Sequence, residues 1–295
     1  IQLLDHVIVT ALGLEKKESS LAYAVQKVRG GELNRVKEVN MITALAGKAA
    51  GVQVSKNSSG MGGSAKVSIR GVRSVAGDNQ PLYVIDGVPM SNSTSEQAYS
   101  AIGGTANAGN RDGGDGISNL NPEDVESISI LKGAPAAALY GSQAANGVIL
   151  ITTKKGNSVG RRDIHFSTGL TFEKAFCLPK MQNNYGVSDV TDSWGEKENL
   201  MAYDNLNNFF RTGLTSITSV SVNSGNDRLQ TYFSYANTTG RGILNENKLS
   251  KHNINLRETA VLFNSLLKLD GNVNVMRQTV KNKPVSGGFY MNPLV

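Results

Sequence analysis

The chain has 295 residues, with 30 basic against 24 acidic side chains, a formal net charge of +6, and only 6% aromatic residues beside 32 glycines. Its length favours two domains over one, its single cysteine, Cys177, excludes an intramolecular disulfide framework, and its scattered basic residues without interleaved aromatics argue against nucleic acid. No run of about 18 apolar residues offers a transmembrane helix, which leaves open a β-barrel, whose strands need only about 9 to 11 alternating residues.

The chain opens abruptly at Ile1 without a signal-peptide pattern, which points to a precursor segment ahead of it. Val7, Ile8, Val9 and Thr10 form a β-prone run that can add itself as a strand to a partner sheet. Asn40 is placed to cap a helix over Met41 to Ala49, with Gly51 as its exit. Val52, Val54 and the alternating segment Ala65 to Gly71 then read as strands. Leu82 to Ile85 is a further short strand, ended by the turn signal Asp86-Gly87. Asn121-Pro122-Glu123 is a helix start with a capping side chain and a proline at the first helical position, which also accounts for Glu123 and Asp124. The loops Asn57 to Ser64 and Met90 to Asn119 are long, polar and glycine-rich, as binding loops are.

From Val125 to Leu131 a period of two carries apolar groups on both faces, the pattern of a small sheet covered on both sides. Gly133 and Pro135 break that strand, Ala136 to Tyr140 allows little more than a helical turn, and Gly141 supplies the left-handed residue that ends it. Gly147 opens the apolar run Val148 to Thr153, and Lys154 and Lys155 mark its exit.

From about Arg162 onward the helices disappear. Ile164, Phe166, Leu170 and Phe172 fall on one face against His165, Ser167, Thr171 and Glu173, and comparable alternations centre on Phe233, Leu256 and Val273. Ile217 stands out of phase, as at a bulge, and Glu258 interrupts an apolar face. The expected connections run long (Cys177 to Gly213), short (Gly225 to Asp227), long (Thr238 to Lys251) and very short (Asn264 and Ser265). Long loops on one side and tight turns on the other are the habit of an outer-membrane barrel. A soluble β-sandwich also alternates but seldom separates its loop lengths so regularly.

The segments LYVIDGVP (Leu82 to Pro89) and DVESISILKGAPAAALYGSQAANGVILITTKKG (Asp124 to Gly156) resemble the plug of the SusC/RagA family of TonB-dependent outer-membrane transporters, and the likeness runs along nearly the whole chain. The resemblance implies an α+β plug domain inside a transmembrane antiparallel β-barrel of about 22 strands, of which the first five lie here. It divides the chain into a Ton box and linker over 1–13, a plug over 14–157 and the opening barrel strands over 158–295. It implies an outer-membrane protein with its N-terminus in the periplasm, contacting TonB through Asp5, His6, Val7, Ile8, Val9, Thr10 and Ala11.

By the same resemblance Arg70 and Lys132 match plug cations that face acidic groups on the barrel wall and lock the plug in register, although Lys132 offers a point charge where the wider superfamily commonly has arginine. Asn57, Ser58, Ser59 and Met61 in one plug loop, and Asn92, Tyr99, Asn107, Asn110, Arg111, Asp112 and Asp115 in another, are the implied substrate contacts. Their amides and hydroxyls suit sugar hydroxyls and peptide backbones alike. The implied partners are TonB, a SusD-like surface lipoprotein, outer-membrane lipid and an oligosaccharide, with oligopeptide as the competing substrate and a passive barrel or adhesin with a structural plug as the competing class.

No enzyme is indicated. The sequence has no G-x-S-x-G elbow, Gly47-Lys48 lacks the rest of a phosphate loop, and His6, His165 and His252 are widely separated. The run Asn110 to Gly116 fails the EF-hand pattern, since glycines fill its ligand positions, so no cofactor or metal is expected.

Overall fold

The computed structural model describes residues 7–9, 15–17, 25–56, 60–74, 79–92, 96–97, 111–112, 114–133, 137–138, 140–158, 160–178, 180, 182, 184–186, 195–197, 205–263 and 266–281, with the backbone alone at 7–9, 15–17, 96–97, 111–112 and 205–206. At the N-terminal end β1 (Val7–Val9) pairs antiparallel with β2 (Glu15–Lys17), Val7 lying opposite Lys17.

The first large unit is a mixed five-stranded sheet. In chain order its members are β3 (Val25–Arg29), β6 (Leu82–Ile85), β7 (Val88–Met90), β10 (Val125–Leu131) and β11 (Val148–Thr153), in the spatial order β3-β10-β11-β6-β7. A two-stranded hairpin of β4 (Val52–Lys56) and β5 (Ala65–Ile69) forms a separate small sheet packed on the same core, and β8 (Glu96–Gln97) pairs with β9 (Arg111–Asp112). The central strands β10 and β11 are antiparallel, whereas β11 and β6 run parallel. Both faces of the sheet are covered, as the doubled apolar pattern of Val125 to Leu131 requires. Ile128, Ile130 and Ile149 pack with Leu33, Met41, Leu45 and Val67 in one core, and Leu131, Val148 and Leu150 pack with Val84 and Ala144 in another.

Two local readings are refined by the structure and a third holds. The helix expected over Met41 to Ala49 is a single 3-10 turn, Thr43–Leu45, because Gly47 and Gly51 adopt positive φ and close the chain into tight turns instead. Asn40 bonds ahead of that turn, its Oδ1 accepting from the Ile42 amide at 2.9 Å, and no side chain caps the turn itself, whose N-cap is Ile42. Asn121 caps only a short 3-10 turn, Pro122–Asp124. Asp86-Gly87 forms the expected two-residue turn, with φ of 47° and 88°, and joins β6 to β7.

The second unit is a meander of five long antiparallel strands: β12 (Arg162–Glu173), β13 (Gly213–Gly225), β14 (Leu229–Arg241), β15 (Lys248–Leu262) and β16 (Leu267–Lys281). Its outer face exposes Ile164, Phe166, Leu170, Phe172, Phe233, Ile254, Leu256, Val273 and Val275, a contiguous apolar surface of the kind that faces lipid. Glu258 sits on this face and accepts from Thr231 Oγ1 at 2.8 Å across the strand pair. The inner face is largely polar, and the first unit covers it along β13, β14 and β15 while β12 and most of β16 stay exposed.

Two sequence readings fail here. Ile217 marks no bulge, since β13 pairs in unbroken register with both neighbours, and its side chain turns inward against the first unit, 7% exposed. The connection expected from Thr238 to Lys251 shrinks to Gly242 to Asn247, because both strands continue through Thr238, Thr239, Ser250 and Lys251. Polar side chains broke the alternation without breaking the backbone ladder. The strands reach 12 to 15 residues, longer than a bilayer needs.

Candidate functional site

The informative site is where the mixed sheet meets the inner face of the meander. Alternation along β14 turns Tyr232, Ser234, Ala236 and Thr238 inward, and along β15 it turns Lys251, Asn253, Asn255, Arg257 and Thr259 inward, all buried. Strand pairing sets these residues side by side, with Ser234 opposite Asn255 and Tyr232 opposite Arg257.

At one corner the Asp86 turn and the end of β11 are tied together. Asp86 Oδ1 accepts from the Thr153 amide at 3.0 Å, and Oδ2 accepts from the Thr153 hydroxyl at 2.6 Å. Arg257, 4% exposed at its side chain, donates from Nη1 to Asp86 Oδ2 at 2.9 Å and to Thr153 Oγ1 at 2.5 Å. Its Nε and Nη2 grip the two oxygens of Asp270 on the neighbouring strand β16 at 2.9 and 2.8 Å. Lys155, just past β11, comes to 3.7 Å from Asp270 Oδ2.

A second contact joins Tyr232, whose hydroxyl donates to Asp124 Oδ1 at 3.0 Å. Asp124 is 0% exposed and its Oδ2 has no hydrogen-bond partner, nor has the neighbouring Ser234 hydroxyl. Burial pushes the Asp124 carboxyl above its ordinary value, with Ser234, Tyr232 and Asn121 and the charge of Lys154 opposing that rise. Lys154 is itself lowered by burial, against the pull of Asp124 and Glu126. Further along, Lys251 donates to the Ser118 carbonyl at 2.5 Å and Asn253 Nδ2 to the Asn119 carbonyl at 2.9 Å. Lys37 pairs with Glu123 and bonds Ser167 of β12, and burial, then the charge of Lys154, lowers its pKa.

Glycines let the two units approach. Gly156 lies against the backbone of Gln230 and Thr231, and Gly240 leaves no room for a Cβ beside the Met61 methyl. At the end of the meander carrying the Gly242 to Asn247 loop, a cavity of about 240 Å³ is lined by Met61, Ser64, Thr215, Ile243, Asn247 and Gln278.

The residues expected from sequence are distributed unevenly. Met61 lines that cavity. Asn92 is spent within the first unit, its Oδ1 accepting from the Ile117 amide at 2.9 Å. Asp115 is 5% exposed and its carboxylate accepts from the Ala65 amide at 3.0 Å and the Ser118 amide at 3.0 Å, so it pins the framework instead of facing a cavity. Asn57, Ser58, Ser59, Tyr99, Asn107 and Asn110 lie outside the described residues, as do Asp5, His6, Thr10 and Ala11. Val7, Ile8 and Val9 form β1, and Arg111 and Asp112 form a two-residue strand pairing Glu96–Gln97.

Arg70 and Lys132 come close together at the end of β10 opposite Asp124. Lys132 donates to Gln26 Oε1 at 2.8 Å and the Ala50 carbonyl at 2.5 Å. Burial, then the charge of Arg70, lowers its pKa. Arg70, at φ 61°, points its guanidinium toward Gly133, where a Cβ would stand 3.0 Å from Nη1. Among the described residues neither cation is bonded to the meander.

Sequence reasoning missed Asp86, Asp124, Tyr232, Lys251, Arg257 and Asp270, having read Asp124 only as an acid at a helix N-terminus. The available signal was Arg257 standing among Asn253, Asn255 and Thr259 on the polar face of an alternating strand.

A small mixed sheet, docked by polar side chains on the inside of a meander whose outside is apolar, defines a plugged β-barrel. Residues 17–148 match the family profile of the TonB-dependent Receptor Plug Domain. TonB-dependent receptor SusC of Bacteroides thetaiotaomicron is 31% identical over 298 residues, covering 97% of this chain and 27% of the relative. TonB-dependent receptor P26 of Formosa agariphila is 35% identical over 60% of this chain and 16% of its own length. The structure of the RagAB peptide importer in the open-open state superposes with a TM-score of 0.72 at 24% identity, over 94% of this chain and 32% of that one. This chain is the N-terminal region of a TonB-dependent receptor of the SusC/RagA type. It spans about a quarter of the length of SusC, and its homologues are outer-membrane proteins.

Proposed function

We propose that the whole protein is a TonB-dependent importer of oligosaccharides across the bacterial outer membrane, working with a SusD-like surface lipoprotein. The observation that carries this reading is the plug seated on the barrel wall by a handful of polar contacts, behind an N-terminal β-strand, in a chain similar to SusC over 97% of its residues. Such contacts hold the plug against diffusion yet yield to a pull, as a gate requires.

In this reading residues 1–13 hold the Ton box, 14–157 the plug and 158–295 the first barrel strands. The plug sits in the barrel lumen with the N-terminus in the periplasm. TonB engages Asp5 to Ala11 by strand addition, and its pull, drawn from the inner-membrane proton gradient, displaces the plug. Arg70 and Lys132 lock the plug against acidic groups on later strands. The Met61 cavity faces outward, where Asn57, Ser58, Ser59, Tyr99, Asn107, Asn110, Arg111 and Asp112 belong to the loops that meet substrate, while Asn92 and Asp115 hold the framework beneath them. Oligopeptide is the second reading, favoured by the fold shared with the RagAB peptide importer.

Mass spectrometry of what co-purifies with the full-length protein from detergent-extracted outer membrane tests substrate and partner together. A SusD-like lipoprotein with bound glycan is expected. A heterogeneous peptide mixture moves the assignment to peptide uptake, and uptake that survives deletion of Asp5 to Ala11 reduces the protein to a passive barrel.

A further inference from the structure

We infer that Arg257 is a shared latch, and that Asp270 on the wall is an exchange partner that makes the plug releasable. The inference rests on the reading of the plug as a movable gate. The polarity is opposite to that of the lock expected from sequence, since here the cation belongs to the wall and the acid to the plug.

One guanidinium serves two carboxylates. Its Nη1 reaches the plug, at Asp86 Oδ2 (2.9 Å) and Thr153 Oγ1 (2.5 Å), while Nε and Nη2 form a parallel two-point grip on Asp270 of β16. The plug therefore holds the single-nitrogen side of the fork and the wall holds the double side. When the plug leaves, the Nη1 bonds break while the arginine, now open to the lumen, keeps its two-point grip on a full carboxylate partner, so separation leaves the wall side of the fork intact.

Asp270 also weakens the docked state directly. Asp86 and Asp270 both lie within bonding reach of the same guanidinium, so their charges repel each other only while the plug is seated. Lys155, at the end of the plug and 3.7 Å from Asp270, offsets part of this. Asp270 is thus a positioning residue: it lowers the grip of Arg257 on Asp86 without touching Asp86.

The test uses the full-length protein purified in detergent, without TonB. Ser219, a wall residue of β13 that is 6% exposed under the plug, is changed to cysteine in a Cys177→Ser background, because Cys177 is exposed. The rate of maleimide labelling then reads how often the plug lifts. Asp86→Asn is expected to raise that rate roughly tenfold, the ratio that a hydrogen bond to a charged group carries. Asp270→Asn is expected to lower it several-fold, Asp270→Glu to leave it near the parent rate, and Asp270→Asn in an Asp86→Asn background to change nothing further. If Asp270→Asn raises the rate or leaves it unmoved, Asp270 merely props the arginine and the exchange-partner inference is overturned. Because labelling needs neither substrate nor TonB, failure here is distinct from failure of the importer reading, which would appear as uptake independent of Asp5 to Ala11.

Discussion

Removing the Tyr232 hydroxyl by Tyr232→Phe keeps the ring in place under the plug and deletes one bond, the 3.0 Å donation to Asp124 Oδ1. Asp124 is fully buried, so the variant leaves a buried carboxyl without the Tyr232 donor. A hydrogen bond to a charged group contributes about 1.5 to 3 kcal/mol, so the equilibrium between seated and lifted plug should move roughly 10- to 100-fold toward lifting. Hydrogen exchange of β10 in the full-length, detergent-purified protein reads this, since β10 follows Asp124 directly. Asp124→Asn should act the other way, removing a buried charge and offering an amide donor to the unpartnered Ser234 hydroxyl. The pH dependence carries the same logic. The seated carboxyl is raised above its ordinary value of 3.8, so the seated state binds more protons than the lifted one. Docking from this residue is therefore fully present below the ordinary value and fades as pH rises through the seated value. Asp124→Asn should flatten that dependence. Unchanged exchange in Tyr232→Phe, or tighter docking of wild type as pH rises across this window, would refute the account.

Two further substitutions probe the frame. Gly147→Ala places a Cβ 2.9 Å from Ile69 Cδ1 and 3.0 Å from the Leu131 carbonyl at φ 101°; it should destabilise the plug by about 2 to 4 kcal/mol, measured as faster proteolysis of the plug in assembled protein. Ile254→Arg puts a cation on the outer face of β15, where the side chain is 45% exposed, and should cost about 2 to 4 kcal/mol of barrel stability, read as loss of heat-resistant barrel on semi-native gels, whereas a lysine at the exposed, inner-facing Asn272 of β16 should not.

Much of this architecture was readable from side-chain period alone. Val125 to Leu131 announced a strand covered on both faces, Asp86-Gly87 a hairpin, and Ile164 to Phe172 a strand with one lipid face, because each pattern is local and each residue takes part in one environment. Ile217 misled for the opposite reason: it is apolar on the polar side, and only the plug packed against it explains why. The strand ends around Thr238 and Lys251 were equally hidden, since ladder hydrogen bonds involve no side chain. The docking residues belong to neither local pattern. Asp124 and Tyr232 are 108 positions apart and Asp86 and Arg257 are 171 apart, so no spacing rule joins them. Arg70 and Lys132 were singled out from family likeness, and the described strands place other groups at the wall.

The glycines beneath the plug set the length of its leash. Thr153 ends β11 and Arg162 begins β12, so the joining segment could in principle span roughly 30 Å. Gly156, however, is pressed onto the backbone of Gln230 and Thr231, and Asn157 onto Gly225, so while that fastening holds only the short stretch from Thr153 to Gly156 is free, about 10 Å. A plug on so short a tether cannot be drawn out whole like a cork. In the proposed importer it would swing about this fastening or shed strands from its far, N-terminal side, so the size of the opening would be governed by how many strands are pulled loose and not by how far a rigid body travels.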